Sequence, residues 1–180
     1  MTVPVHRSHR GGADGNGPRG RRRTKVNPAH RAAALVRGLQ RRGRRVVFTN
    51  GCFDLLHAGH VALLEAARGL GDFLVVGVNS DRSVRGLKGA GRPIVPLDER
   101  MEVLAALRAV DCVVPFGEAT PARLIRRLGP DVLVKGADYR SKTIVGRDTV
   151  ESRGGRVVTV PLRRRLSTTD LIRRALRAAG

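Results

Sequence analysis

Residues 45–60 read Arg45-Val46-Val47-Phe48-Thr49-Asn50-Gly51-Cys52-Phe53-Asp54-Leu55-Leu56-His57-Ala58-Gly59-His60, and Val61, Leu63, Leu64 and Ala67 follow at helical spacing. A short β-branched run, a turn and a periodic apolar set describe a strand that feeds a helix. Such a junction presents unpaired backbone N–H groups and the positive end of a helix dipole, both of which suit phosphate. Gly51 and Gly59 permit close backbone approach there.

Working outward, short apolar runs alternate with helical patterns to the end of the chain. Strands are predicted over 45–49, 73–78, 112–115, 132–134 and 156–160, and helices over 28–42, 59–70, 98–110, 121–128, 147–153 and 168–178. The first helix is predicted to start at an Asn27 cap followed by Pro28. Strand and helix alternation of this kind predicts a single Rossmann-like, doubly wound α/β domain with a five-stranded parallel sheet. The ligand crevice of such a sheet lies at the carboxyl ends of its strands, so chemistry is sought just after each one. No internal repeat points to another architecture.

The chain has 180 residues, enough for one domain with a core, and a net charge of +20. Residues 1–45 hold thirteen Lys or Arg against Asp14 alone, so most of the excess is N-terminal. Residues 1–26 are rich in Gly and Arg and are predicted to form a disordered basic tail, with the globular domain over 27–180. No apolar run has the length of a membrane span and the N-terminus lacks an apolar signal core, so a soluble, cytoplasmic protein is expected. Cys52 and Cys112 are the two cysteines and neither has metal-ligand spacing. Cys112 lies in an apolar run and is expected to act as a small buried hydrophobe.

His57 and His60 are three apart, so on one helical turn they share a face and can converge on a single group. Two imidazoles can donate hydrogen bonds to phosphoryl oxygens as charge redistributes between them. A capping role is the alternative for either histidine alone, and a zinc site is the alternative for the pair. The remaining histidines, His6, His9 and His30, lie in or beside the basic tail, which disfavours a three-ligand metal site.

The pattern Thr49-x-Gly51-x-Phe53-Asp54-x-x-His57-x-Gly59-His60 resembles the signature of the nucleotidylyltransferase superfamily that includes glycerol-3-phosphate cytidylyltransferase. Residues 28–178 are most similar to the heptose 1-phosphate adenylyltransferases, the transferase portion of bifunctional ADP-heptose synthases. The similarity includes 78–81, Leu87-Lys88-Gly89, Arg92-Pro93, 96–101, 135–139 and Ser167-Thr168-Thr169. It implies that ATP and a sugar 1-phosphate condense to an NDP-sugar and pyrophosphate, with Mg²⁺ carried by the triphosphate and no metal ligands from the protein. His57, His60, Lys88 and Arg100 are the catalytic residues it implies. Thr49, Asn50, Gly51, Cys52, Phe53, Asp54, Gly59, Asn79, Lys135, Gly136, Asp138, Ser167 and Thr168 are the nucleotide-binding ones. Relatives of this kind commonly dimerise, so a homodimer is expected.

The residues themselves leave alternatives open. Lys88 lies in a predicted Gly-rich loop over 85–91, where it can fold over phosphate or stand in solvent. Arg100 falls in the first turn of a predicted helix and can equally pair with a surface carboxylate. The segment 135–138 can be a plain turn, and Ser167-Thr168-Thr169-Asp170 reads first as a helix cap whose N–H groups can also hold phosphate. Arg163-Arg164-Arg165-Leu166 stands where related chains tend to carry a glycine and acidic residues, which leaves the acceptor open. The resemblance also implies a cytidylyltransferase acting on glycerol 3-phosphate or another polyol phosphate as the second enzyme class. A nucleic-acid-binding module fits the basic tail but not the scarcity of aromatics, with one Tyr, four Phe and no Trp.

Overall fold

In all but the last strand, the β-branched runs form strands because both their faces are buried. In the computed structural model, which describes residues 25–136, 144–161 and 167–179, β1 is Val46–Gly51, β2 Phe73–Asn79, β3 Cys112–Phe116, β4 Val132–Gly136 and β5 Arg156–Val160. All pairings are parallel, in the order β3-β2-β1-β4-β5. Val46 and Phe48 of β1 point to one layer, with Ala32, Ala33, Val36, Ile125 and Leu128. Val47 points to the other, with Leu64, Ala67 and Leu104. Alternation between two apolar layers is why the strands lack an apolar-polar rhythm.

The helices are α1 (Ala29–Gln40), α2 (Ala58–Arg68), α3 (Asp81–Lys88), α4 (Leu97–Ala106), α5 (Ala122–Leu128), α6 (Arg147–Glu151) and α7 (Thr168–Ala178). The predicted doubly wound sheet of five parallel strands is observed. Gly77 of β2 is required by packing: a Cβ there would fall 2.9 Å from Cζ of Phe48 and 3.1 Å from Cβ of Asn50. The aromatic ring of β1 therefore lies across the backbone of β2 close to the carboxyl ends.

Several predicted boundaries are corrected. Residues 85–88 belong to α3 rather than to a Gly-rich loop, because Ser80 caps that helix by accepting the Ser83 N–H at 3.3 Å and Val84 is buried beneath it. The turn begins only at Gly89, whose φ of 99° ends the helix. The helix predicted over 98–110 stops at Ala106, where Leu107 turns extended. Pro28, not Asn27, is the cap position of α1. Asn27 instead sends its amide to the Lys25 carbonyl at 3.1 Å, and its backbone N–H to the Val113 carbonyl at 2.9 Å. Lys25 and Val26, predicted as tail, thus lie along the outer edge of β3, where Val26 bridges Val113 and covers an otherwise open strand edge. Residues 1–24 lie outside the described residues.

Candidate active site

The two central strands part company where the chain reverses direction across the sheet. β1 pairs with β2 over six positions, from Val46 with Phe73 to Gly51 with Val78, but with β4 only at Val47 with Val132 and Phe48 with Leu133. Beyond Phe48, β1 and β4 diverge, and since β2 and β3 lie to one side and β5 to the other, the gap is the topological switch point. Side chains bridge it where backbone bonds no longer reach. Thr49 donates its hydroxyl to the Val134 carbonyl at 3.0 Å, and the Lys135 ammonium donates to the Asn50 amide oxygen. A cleft of about 550 Å³ opens above.

His57 and His60 form one wall. His57 is the N-cap of α2, its Nδ1 accepting the Gly59 N–H at 3.1 Å, which leaves the proton of the neutral ring on Nε2. The two imidazoles are stacked with centroids 3.9 Å apart, so the pair does converge. Phe53, held at a φ of 49° that non-glycine residues rarely adopt, sets its ring 5.3 Å from that of His60 and shields it. Burial pushes His57 below the ordinary imidazole value, and burial followed by the neighbouring His57 pushes His60 down to about 4. Both rings are therefore neutral at pH 7 and act as N–H donors rather than as fixed charges. Nδ1 of His60 is buried and has no hydrogen-bond partner among the described residues, an unmet polar group of the kind that collects at functional sites.

The cleft lining also carries cations. Lys88, the last residue of α3, and Lys135, at the end of β4, both line the cleft. Lys135 is 7% exposed, and burial brings its ammonium down to about 8, so most of it stays charged at neutral pH. Gly51, Cys52, Gly59, Asn79, Gly136, Ser167 and Thr168 line the same cleft. Burial raises the Cys52 thiol, against the lowering pull of Lys88, Arg100 and Arg92, which leaves it protonated at neutral pH. Ser167 caps α7 in a reciprocal box with Asp170, and Thr168 reaches the Leu55 carbonyl at 3.5 Å. Asp138 lies outside the described residues.

Two predicted ligands have their polar atoms already engaged within the protein. Arg100 is 1% exposed and absent from the cleft wall. Its Nε donates to the Val95 carbonyl at 2.9 Å, one Nη to the Cys52 carbonyl, and the other Nη to the Asn79 carbonyl at 2.9 Å and Asp81 at 2.6 Å. Helix α4 points this side chain inward at the ends of β1 and β2, where it fastens three chain segments together rather than reaching phosphate. Asp54 borders the cleft, but both its oxygens are occupied, by Arg92 and by the Ile94 and Val95 N–H groups at 2.8 and 2.9 Å. Sequence reasoning missed Thr120, Val145 and Arg92 in the wall. Thr120 follows β3, so the rule that ligands sit after strands could have found it; Arg92 gives no local signal.

The cytidylyltransferase-like family profile matches residues 48–174, a span that starts in β1 and ends in α7. The chain belongs to the cytidylyltransferase-like family of nucleotidyltransferases. Within it, the chain is 58% identical over 137 residues to bifunctional protein HldE of Syntrophotalea carbinolica, covering 76% of this chain and 28% of that one. It is also 58% identical over 147 residues to bifunctional protein HldE of Halorhodospira halophila, covering 82% and 31%. The chain thus spans less than a third of the length of these relatives. Among solved structures, a lipopolysaccharide core biosynthesis protein from Thermoplasma volcanium superposes with a TM-score of 0.56 at 28% identity, covering 67% of this chain and 97% of that one. Pantoate-beta-alanine ligase from Francisella tularensis superposes with a TM-score of 0.57 over 81% of this chain and 74% of its own, but at 15% identity it supports the fold alone.

Proposed function

We propose that this member of the family transfers an adenylyl group from MgATP to a heptose 1-phosphate, giving ADP-heptose and pyrophosphate. The observation that carries the transfer chemistry is the neutral, stacked His57–His60 pair, which shares the lining of the cleft with Lys88 and Lys135. The similarity to the HldE proteins supports the choice of substrates.

In this mechanism an oxygen of the acceptor phosphate attacks the α-phosphorus in line. The new O–P bond forms as the bond from that phosphorus to the bridging oxygen breaks, and pyrophosphate departs with that electron pair. No protein nucleophile takes part, consistent with a Cys52 thiol held protonated. His57 and His60 donate N–H groups to the oxygens where charge shifts, while Lys88 and Lys135 hold phosphates, so catalysis is positioning and charge stabilisation. Among the described residues no group of three or more His, Cys, Asp or Glu side chains is placed to hold a metal, and both oxygens of Asp54 are engaged. In this proposal Mg²⁺ enters as part of the triphosphate substrate. No helix among the described residues is long and apolar enough to cross a membrane. A cytoplasmic site of action and a homodimer complete the proposal, the latter open to sedimentation analysis.

Pyrophosphate release with each of the four nucleoside triphosphates, crossed with heptose 1-phosphate and glycerol 3-phosphate, tests the assignment. ATP with heptose 1-phosphate is expected to be the fastest pair; a preference for CTP with glycerol 3-phosphate would replace it with the polyol-phosphate cytidylyltransferase reaction.

A further inference from the structure

Asp54 is the one acidic side chain among the described residues of the cleft wall, and it is spent on a neighbour. Its side chain is 1% exposed and accepts from Nε of Arg92, whose own side chain is 16% exposed. A guanidinium has five N–H groups, and this contact uses one of them. Among the described residues neither Nη of Arg92 donates to any protein acceptor, although the residue lines the cleft. Arg100, eight residues on, is the contrast: its Nε and both Nη groups are taken up inside the protein.

Taking a charged pair out of water is costly, and leaving donors of a charged group unmet adds to that cost. Held through Nε alone, Arg92 keeps its planar two-pronged face unspent, the shape that matches two oxygens of a phosphoryl group. The Ile94 and Val95 N–H groups hold the other oxygen of the carboxylate, at 2.8 and 2.9 Å, so the anchor that Arg92 meets is fixed by the backbone. Lys88 and Lys135 share the wall, which makes it net positive with Asp54 as the sole offset.

We propose that Arg92 binds a substrate phosphoryl group and that Asp54 is the positioning residue that aims it. This rests on the nucleotidyl-transfer proposal above for the presence of two phosphorylated substrates in the cleft. The phosphoryl group belongs either to the β,γ end of the triphosphate or to the acceptor sugar phosphate.

Titration calorimetry on the full chain, wild type against Arg92→Gln and Arg92→Lys, separates the two. If Arg92 meets the β,γ-phosphates, both variants bind a non-hydrolysable MgATP analogue about tenfold or more weakly while AMP affinity is unchanged. If it meets the acceptor, analogue affinity is unchanged and the acceptor KM rises by about that factor. Lysine keeps the ion pair with Asp54 but cannot offer a fork, so full recovery in Arg92→Lys would mean that the arginine only neutralises Asp54 and would overturn the inference. Unchanged affinities and KM in both variants would do the same. Should Arg92→Gln unfold, Arg92→Lys carries the test. A wild-type protein that binds the analogue yet transfers no nucleotide would remove the proposed function while leaving the Arg92 effect on binding measurable.

Discussion

Helices α2 and α7 both begin at the cleft, both are capped by a side chain predicted to contact substrate, and they are held in opposite ways. α2 starts at His57 and buries Gly59, Leu64 and Ala67 in the core. α7 starts at Ser167 and buries none of its residues; Leu171 and Ile172 are half-covered and Leu176 is 71% exposed. The same local device, a cap at the carboxyl side of the sheet, is therefore rigid in one place and lightly attached in the other. On the proposed mechanism, the groups that meet the reacting phosphorus to a fraction of an ångström sit on the rigid start. The lightly held start suits substrate capture, where adjustment costs less.

The packing half of this contrast has the largest expected effect. Leu64→Ala should lower unfolding stability by about 2–5 kcal/mol, whereas Leu171→Ala should cost less than about 1 kcal/mol. Equal losses in chemical denaturation would show that α7 is anchored as firmly as α2.

Acid should attack the better-packed end first. His60 has a folded value of about 4 against 6.5 for a free imidazole, so the unfolded chain takes up the proton earlier. Its contribution is complete above pH 6.5 and is lost as pH falls from there towards 4, by an order of 1–3 kcal/mol. Hydrogen bonding to Ser167 lowers the Asp170 carboxyl below its usual 3.8, so the α7 cap persists to lower pH and is lost only as pH falls through that depressed value. Denaturant midpoints from pH 7 to 4 should fall in wild type and flatten in His60→Asn; identical slopes would separate the imidazole from the stability profile.

The smallest expected effect is at the other cap. Ser167→Ala removes the Asp170 N–H acceptor and should cost about 1 kcal/mol locally. On this comparison it raises KM several-fold with kcat near wild type. A loss confined to kcat would place Ser167 in the transition state and erase the distinction between the two helix starts.

What could be read ahead of the structure follows from how far each interaction reaches along the chain. The strands were legible because burial writes itself into short runs of consecutive apolar residues, such as Val46-Val47-Phe48 and Phe73-Leu74-Val75-Val76, and His57 and His60 because one helical turn places them together. Helix α3 was hidden by Gly86 and Gly89, although Ser80 and Asp81 supplied a start signal. The tasks of Arg100 and Asp54 could not be read locally: the partners of Arg100 lie up to 48 positions away at Cys52, and Asp54 meets Arg92 across 38. Residue type showed that Arg100 was chemically capable of binding phosphate, and resemblance alone put Asp54 at the nucleotide; only the fold shows that their donors and acceptors are already in use.

Steady-state turnover of His60→Ala, with its melting temperature and triphosphate affinity measured alongside, bears most directly on the stacked pair. A folded protein that binds the triphosphate normally but has lost about 10²- to 10³-fold in kcat is the expected result. Turnover within a few-fold of wild type would contradict it.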